Sequence, residues 1–179
     1  MGRKISALLL IIISMLLVVS CGNKKNEYTR IIVSVHDGDT FTDSSKIKYR
    51  LFAVDTPETS SQYNNFQSTE GIEKIYAFEA TTFTKKLILR KEVQIHLIST
   101  DIYGRSVARI IINGKDLSIE LVKAGLARVA YIDVEPNSIY ETNNFKYFIN
   151  ILNEQRKARI NKMGFWSREK YFSTIFPKA

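Results

Sequence analysis

The 179-residue chain has one cysteine, two histidines and one tryptophan. A single cysteine excludes an intramolecular disulfide. Two histidines beside it are too few for the usual Cys/His zinc site. Neither H-E-x-x-H nor G-x-x-x-x-G-K-[ST] occurs, so the zinc-protease helix and the phosphate-cradling loop are both missing. Asp37-Gly38-Asp39 does not begin an EF-hand loop, because Phe41 stands where the next ligand is required. There is no internal repeat or low-complexity tract. Acidic residues are outnumbered, 18 against 26 Lys and Arg, for a net charge of +8. That balance suits a polyanion such as nucleic acid or an anionic membrane, and equally suits plain solubility. Hydrophobic residues make up 45% and charged residues 25%, the composition of a globular chain. His36 and His96 read as surface or strand residues, so any chemistry must rest on carboxylates, arginines and tyrosines.

The N-terminus carries a different message. Arg3 and Lys4 precede an apolar run from Ile5 to Val19, broken only by Ser6 and Ser14, and Cys21 follows small residues. This is the layout of a secretory signal peptide, and the run is shorter than the roughly 20 residues a bilayer span needs. Val18-Val19-Ser20-Cys21 resembles a bacterial lipobox, which implies cleavage before Cys21 and a diacylglyceryl group on its sulfur. Residues 1–20 are then a lipoprotein signal peptide, and 21–27 the lipidated Cys and a linker spanning roughly 20 Å when stretched. Two acyl chains anchor stably where one does not. The expected location is outside the cytoplasmic membrane, anchored in the bacterial cell envelope. An ordinary signal peptide or an uncleaved anchor remain as alternatives.

Along the rest of the chain, Tyr28–Val35, a short run at Phe41-Thr42, and Ile47–Val54 read as strands, separated by turns at His36–Thr40 and Asp43–Ser45. Gly71–Arg90 reads as a helix capped by Ser68 or Thr69, with Ile72, Ile75, Tyr76, Ala80, Phe83 and Leu87 on one face. Val93–Ile98 and Arg105–Ile112 form a hairpin about Asp101–Gly104. Leu117–Ala124 reads as a helix capped by Asp116 and ended by Gly125. A last helix runs from about Asn144 to Met163, with Phe145, Phe148, Ile149, Leu152 and Ile160 as its apolar stripe. The expected fold is α+β: a five-stranded OB-type β-barrel with about three helices over residues 28–168, then a C-terminal tail at 169–179.

Carboxylates gather at two breaks after strands, Asp37-Gly38-Asp39-Thr40 and Asp55-Thr56-Pro57-Glu58-Thr59. Hard oxygen ligands from two strand ends suit Ca²⁺ or Mg²⁺, although Asp also favours turns for local hydrogen bonds. Arg50 and Arg105 present guanidinium forks that match phosphate; a surface salt bridge is the ordinary alternative. Arg50 and Asp55 are five residues apart and would face opposite sides of a regular strand, so they converge only if that strand bends or bulges.

Asp37-Gly-Asp-Thr, Arg50-Leu-Phe-Ala-Val-Asp-Thr-Pro-Glu-Thr59, Asp101-Ile-Tyr-Gly-Arg105, Leu121–Tyr131 and Trp166-Ser167 occur in the order and approximate spacing of staphylococcal nuclease. The chain resembles that family over roughly residues 28–168. The resemblance implies a Ca²⁺ ion held by Asp39, Asp55 and the carbonyl of Thr56, with Asp37 holding metal-bound water. It implies Arg50 and Arg105 on the scissile phosphate, Glu58 as general base or water-orienting group, and Tyr103 and Tyr131 on the nucleotide. The implied activity is cleavage of DNA and RNA at the 5′ P–O bond to leave 3′-phosphates; the protein is expected to be a monomer. Departures are Asp133, where the family often has a second tyrosine, and Ile102, where a lysine is common. The loop after Glu58 also lacks Lys and Arg before Lys74; Tyr63 and Phe66 there could stack on bases or pack the loop. Competing readings are a catalytically inactive nucleic-acid-binding OB domain and a structural lipoprotein with a basic face.

Overall fold

The structure is a computed structural model that describes residues 26–61, 67–68 and 71–177. The expected signal peptide, Cys21, most of the expected linker, Tyr63, Phe66 and Thr69 lie outside the described residues. Among the described residues no helix is long and apolar enough to cross a membrane.

Nine residues, Glu27–Val35, form β1; Thr40–Asp43 is β2, Lys48–Leu51 β3 and Val54–Asp55 β4. Two-residue strands at Ser60–Ser61 (β5) and Gln67–Ser68 (β6) precede helix α1, Ile72–Ile88. Then come β7 (Glu92–Thr100), β8 (Ser106–Ile112), β9 (Lys115–Asp116), α2 (Leu117–Lys123), β10 (Arg128–Val129) and α3 (Phe145–Ile160). Gly164–Tyr171 makes tight 3-10 turns broken at Arg168, and Phe172–Ile175 is a fourth helix, α4.

Five strands close a mixed barrel. They pair in the order β3-β2-β1-β7-β8, and β3 returns to β8 in parallel, with Arg50 beside Val107. Register irregularities at Ile32/Ser34 and Leu97/Ser99 supply the curvature that closure demands. Alternation fills the interior: Ile32, Val93, Ile95, Ala108 and Ile110 point inward and are buried, while Ile31 and Val33 face out. The fold is thus α+β with a five-stranded OB-like barrel and, among the described residues, four helices.

The expected third strand, Ile47–Val54, is interrupted. Ala53 adopts a left-handed φ of 68°, splitting β3 from β4. Beyond this bend β4 leaves the barrel and pairs with β10, Asp55 opposite Arg128 and Val54 opposite Val129.

Two helical faces differ from the periodicity reading. In α1 the buried residues are Tyr76, Ala77, Ala80, Thr81, Thr84 and Ile88, whereas Ile75 is exposed. Threonines take core positions there because their hydroxyls are paired, Thr81 to the Ala77 carbonyl and Thr84 to the Gly38 carbonyl. Gly71, not Ser68 or Thr69, occupies the α1 N-cap, and it makes no side-chain cap bond. In α3, Tyr147, Ile151 and Ala158 are buried, while Phe145, Ile149 and Ile160 are exposed. The α2 cap matches expectation: the Asp116 carboxylate accepts from the Ser118 and Ile119 N–H groups.

The segment read as a C-terminal tail is folded through Phe176. Phe165, Trp166, Phe172, Ile175 and Phe176 gather with Tyr76 of α1 in a second apolar cluster. Gly125 and Gly164 make this docking possible. A Cβ on Gly125 would lie 2.1 Å from the Met163 carbonyl oxygen, and the Phe165 N–H reaches the Gly125 carbonyl at 3.0 Å.

Candidate active site

The first acidic turn is fixed from both sides. Asp37 folds its carboxylate back to accept from the Asp39 N–H at 3.0 Å and the Thr40 N–H at 2.7 Å. Gly38 is pressed between strand and helix: a Cβ there would sit 2.7 Å from Thr56 Cγ2 and 2.8 Å from Ala80 Cβ. Its carbonyl accepts from the Thr84 hydroxyl at 2.6 Å. Helix α1 therefore sets the height of the Asp37–Thr40 turn.

The second acidic turn meets it directly. Asp39 accepts from the Thr56 N–H at 2.8 Å and the Thr56 hydroxyl at 3.0 Å, so the two strand ends are joined by a buried carboxylate. Arg50 spans both, donating to Asp39 and to Asp55 at 2.7 Å each. The bend at Ala53 makes this possible by turning Asp55 back toward Arg50. The other oxygen of Asp55 accepts from Arg128 at 2.9 Å and 3.0 Å, from two guanidinium nitrogens.

Burial dominates the electrostatics. It pushes the Asp39 carboxyl up to about 7; Arg50 opposes that rise, while Asp37 and Asp55 add to it. Burial also raises Asp37, and the charge of Glu58 adds to that rise. Arg50 is itself disfavoured by burial, but the charges of Asp39, Asp55, Asp37 and Glu58 raise its affinity for its proton. Glu58 is exposed, and its charge acts on this same group.

Aromatic and rim residues complete the picture. Tyr131, held at a left-handed φ of 56° after β10, lays its ring 5.5 Å from the Arg50 guanidinium carbon. Arg105 and Tyr103 lie at the β7–β8 turn. Arg105 donates to the Asp101 carboxylate at 2.6 Å and sits 5.3 Å over the Tyr103 ring. Parallel pairing places Val107 beside Arg50. Counting back two residues along β8 gives Arg105 the same face of the sheet. The structure thus brings Asp37, Asp39, Arg50, Asp55, Thr56 and Tyr131 into one cluster, with Arg105 and Tyr103 on a separate ion-paired turn.

Two carboxylates and a main-chain carbonyl are the oxygen ligands a hard divalent cation prefers, and burial that opposes ionisation of Asp39 is relieved by added positive charge. Among the described residues no group of three or more His, Cys, Asp or Glu is placed to hold a metal. An ion held by Asp39, Asp55 and the Thr56 carbonyl would need water and substrate as its further ligands, and Arg50 occupies an oxygen of each carboxylate at 2.7 Å.

Arg128 was missed by sequence reading as a member of the site. It contacts a carboxylate 73 residues away, and only the β4–β10 pairing reveals this.

Comparison with known proteins agrees with the geometry. Residues 48–168 match the family model described as "Staphylococcal nuclease homologue". The chain is 31% identical over 141 residues to "Endonuclease YncB" of Bacillus subtilis (strain 168), covering 75% of this chain and 60% of that protein. It is 30% identical over 145 residues to the "SPbeta prophage-derived endonuclease YokF" of the same organism, covering 75% of this chain but 43% of the relative. It is also 30% identical over 147 residues to the "Thermonuclease" of Staphylococcus hyicus, covering 79% of this chain and 78% of that protein. With its barrel, its paired acidic turns and its bridging arginine, the chain belongs to the staphylococcal nuclease family.

Proposed function

We propose that this protein is a calcium-dependent endonuclease that hydrolyses the 5′ P–O bond of DNA and RNA and leaves 3′-phosphates. The carrying observation is Arg50, held at 2.7 Å to carboxylates from two different strand ends. Such a group is preorganised, and preorganised charge is what the developing charge of a phosphoryl transition state requires.

Asp39, Asp55 and the Thr56 carbonyl would hold Ca²⁺, and Asp37 would hold its water. When bound, the ion neutralises phosphate charge and polarises a phosphoryl oxygen. Arg50 and Arg105 donate to the non-bridging oxygens of the scissile phosphate. Glu58 accepts a proton from the attacking water as its oxygen bonds to phosphorus. The bond from phosphorus to the 5′ oxygen breaks, and that oxygen takes a proton from solvent water and leaves as a hydroxyl. The phosphate stays on the 3′ side. Tyr131 and Tyr103 hold the nucleotide. The N-terminal pattern of Arg3, Lys4, the apolar run and Cys21 supports a location outside the cytoplasmic membrane with a lipid tether on Cys21, and the protein would act as a monomer.

Purified protein should degrade single-stranded DNA and RNA at millimolar Ca²⁺, the range of extracellular calcium modules, and a chelator should stop it. Folded protein that binds but does not cut under those conditions would make the chain a nucleic-acid-binding OB domain instead. For the tether, Cys21→Ser should release the protein from membranes or block its processing; unchanged fractionation would refute it.

A further inference from the structure

Tyr131 has a neighbour that its sequence environment does not suggest. The ring of Tyr140 lies 5.4 Å from that of Tyr131, tilted by 60°. Tyr131 in turn stands over Arg50 at 5.5 Å, so one ring touches both the arginine of the acidic cluster and the second ring. Both remain accessible, 45% exposed for Tyr131 and 40% for Tyr140.

Tyr140 reaches this place on the loop between β10 and α3, and Asp133 organises that loop. The Asp133 N–H donates to the Tyr140 carbonyl and its own carbonyl accepts from the Thr142 N–H, both at 2.9 Å. Its carboxylate accepts from the Ser138 hydroxyl at 2.6 Å and the Glu135 N–H at 3.1 Å. At the loop tip, the Asn137 N–H donates to the Glu141 carboxylate at 3.0 Å. Asp133 therefore spends its hydrogen-bonding capacity within the loop. The same bonds carry the next aromatic residue, seven positions on, back beside Tyr131.

We propose that Tyr140 and Tyr131 form a two-ring platform that stacks one nucleobase of a single-stranded nucleic acid whose phosphate lies at Arg50. Tyr140 supplies the ring that Asp133 lacks. This rests on the nucleic-acid reading of the site given above. A base in a duplex has its faces covered by its neighbours; a base in a single strand has a face free for an aromatic side chain. A tilted ring pair offers one face for stacking and one edge for a T-shaped contact, two of the favoured aromatic geometries. The platform specifies the presence of a base rather than its identity.

The test uses the full chain, a single-stranded oligothymidylate, and an abasic oligomer with the same number of phosphates. Kd is measured by fluorescence anisotropy in chelator, and KM and kcat at saturating calcium. Tyr140→Ala should raise Kd and KM for the oligothymidylate by about fivefold, the lower end of the cost of losing one base–aromatic contact. The effect should fall on KM rather than kcat, and binding of the abasic oligomer should not change. Tyr140→Phe should behave as the parent, because the ring and not the hydroxyl carries the contact. Asp133→Ala should reproduce the Tyr140→Ala shift, and the double variant should add nothing to it. An unchanged Kd in a Tyr140→Ala variant with an unshifted melting temperature would overturn the platform. So would equal losses on base-bearing and abasic oligomers, or a fall in kcat alone. Failure of the parent chain to bind or cleave the oligomer would instead remove the nucleic-acid reading, and the platform with it.

Discussion

Arg50 and Arg105 are both arginines paired with aspartate, yet they occupy different physical regimes. Arg50, on the floor of the site, has 11% of its side chain exposed and bonds to two carboxylates. Arg105, on the β7–β8 rim, has 23% exposed and bonds to Asp101 alone. Arg128 lies between, 17% exposed, with two nitrogens on one oxygen of Asp55. In low dielectric a charge stripped of its partner is costly, whereas near water solvent and salt replace the partner cheaply. The floor is therefore part of the fold as well as of the candidate site, while the rim pair can be broken at little cost to the barrel.

The largest effect should follow loss of the floor arginine. Arg50→Ala leaves Asp39 and Asp55 facing each other without their bridge, and breaking a buried pair in this way costs about 3–5 kcal/mol. Urea denaturation should show that loss. Turnover should fall by at least about a hundredfold, the usual cost of removing one transition-state donor. Calorimetry should show calcium binding more tightly to the variant, because Arg50 no longer competes for the carboxylates. A stability loss below about 1 kcal/mol, as for an exposed pair, would erase the distinction between floor and rim.

Strands with alternating apolar residues were legible in the sequence because one face of each is buried: Val93 and Ile95 in β7, and Ala108 and Ile110 in β8, fall inward as period two requires. The two acidic turns were legible because Asp-Gly and Thr-Pro interrupt strands visibly. The bend that unites them was not. Nothing about Ala53 marks it for a left-handed backbone; its conformation is imposed from outside, where Ala130 donates its N–H to the Ala53 carbonyl at 3.2 Å and β10 captures β4. Arg128 was invisible for the same reason, since it reaches Asp55 only through the β4–β10 pairing, and the ring contact of Tyr140 with Tyr131 depends on the hydrogen bonds of the loop about Asp133. Helix faces failed differently. The buried stripe of α1 includes Thr81 and Thr84, which a hydrophobic count passes over, because their hydroxyls are satisfied internally. Asp133 looked like a lost tyrosine and added negative charge; in the fold it is a loop organiser.

Arg128 tests whether the gradation between floor and rim is real. Arg128→Lys keeps the charge but loses the fork that places two nitrogens on Asp55. Losing one hydrogen bond to a charged group costs about 1.5 kcal/mol, which a thermal or urea melt resolves. A loss as large as that of Arg50→Ala would move Arg128 to the floor; no loss would move it to the rim.

The smallest stability effect should come from Arg105→Ala, and it is the sharpest test of the comparison because rate and stability ought to separate. The ion pair with Asp101 is partly exposed, and such pairs contribute less than about 1 kcal/mol. The turn it closes is independently fixed, since Asp101 also accepts from the Tyr103 and Arg105 N–H groups at 2.9 Å each. The hairpin should therefore persist without the guanidinium. If Arg105 donates to the scissile phosphate as proposed, cleavage should still fall by about a hundredfold or more, the usual cost of one lost transition-state donor. Denaturation curves that overlay those of the parent, beside a collapsed kcat, are the expected pair of results. A parallel loss of stability and rate would make Arg105 a structural residue like Arg50. An unchanged rate would leave Arg50 as the one arginine acting on the phosphate.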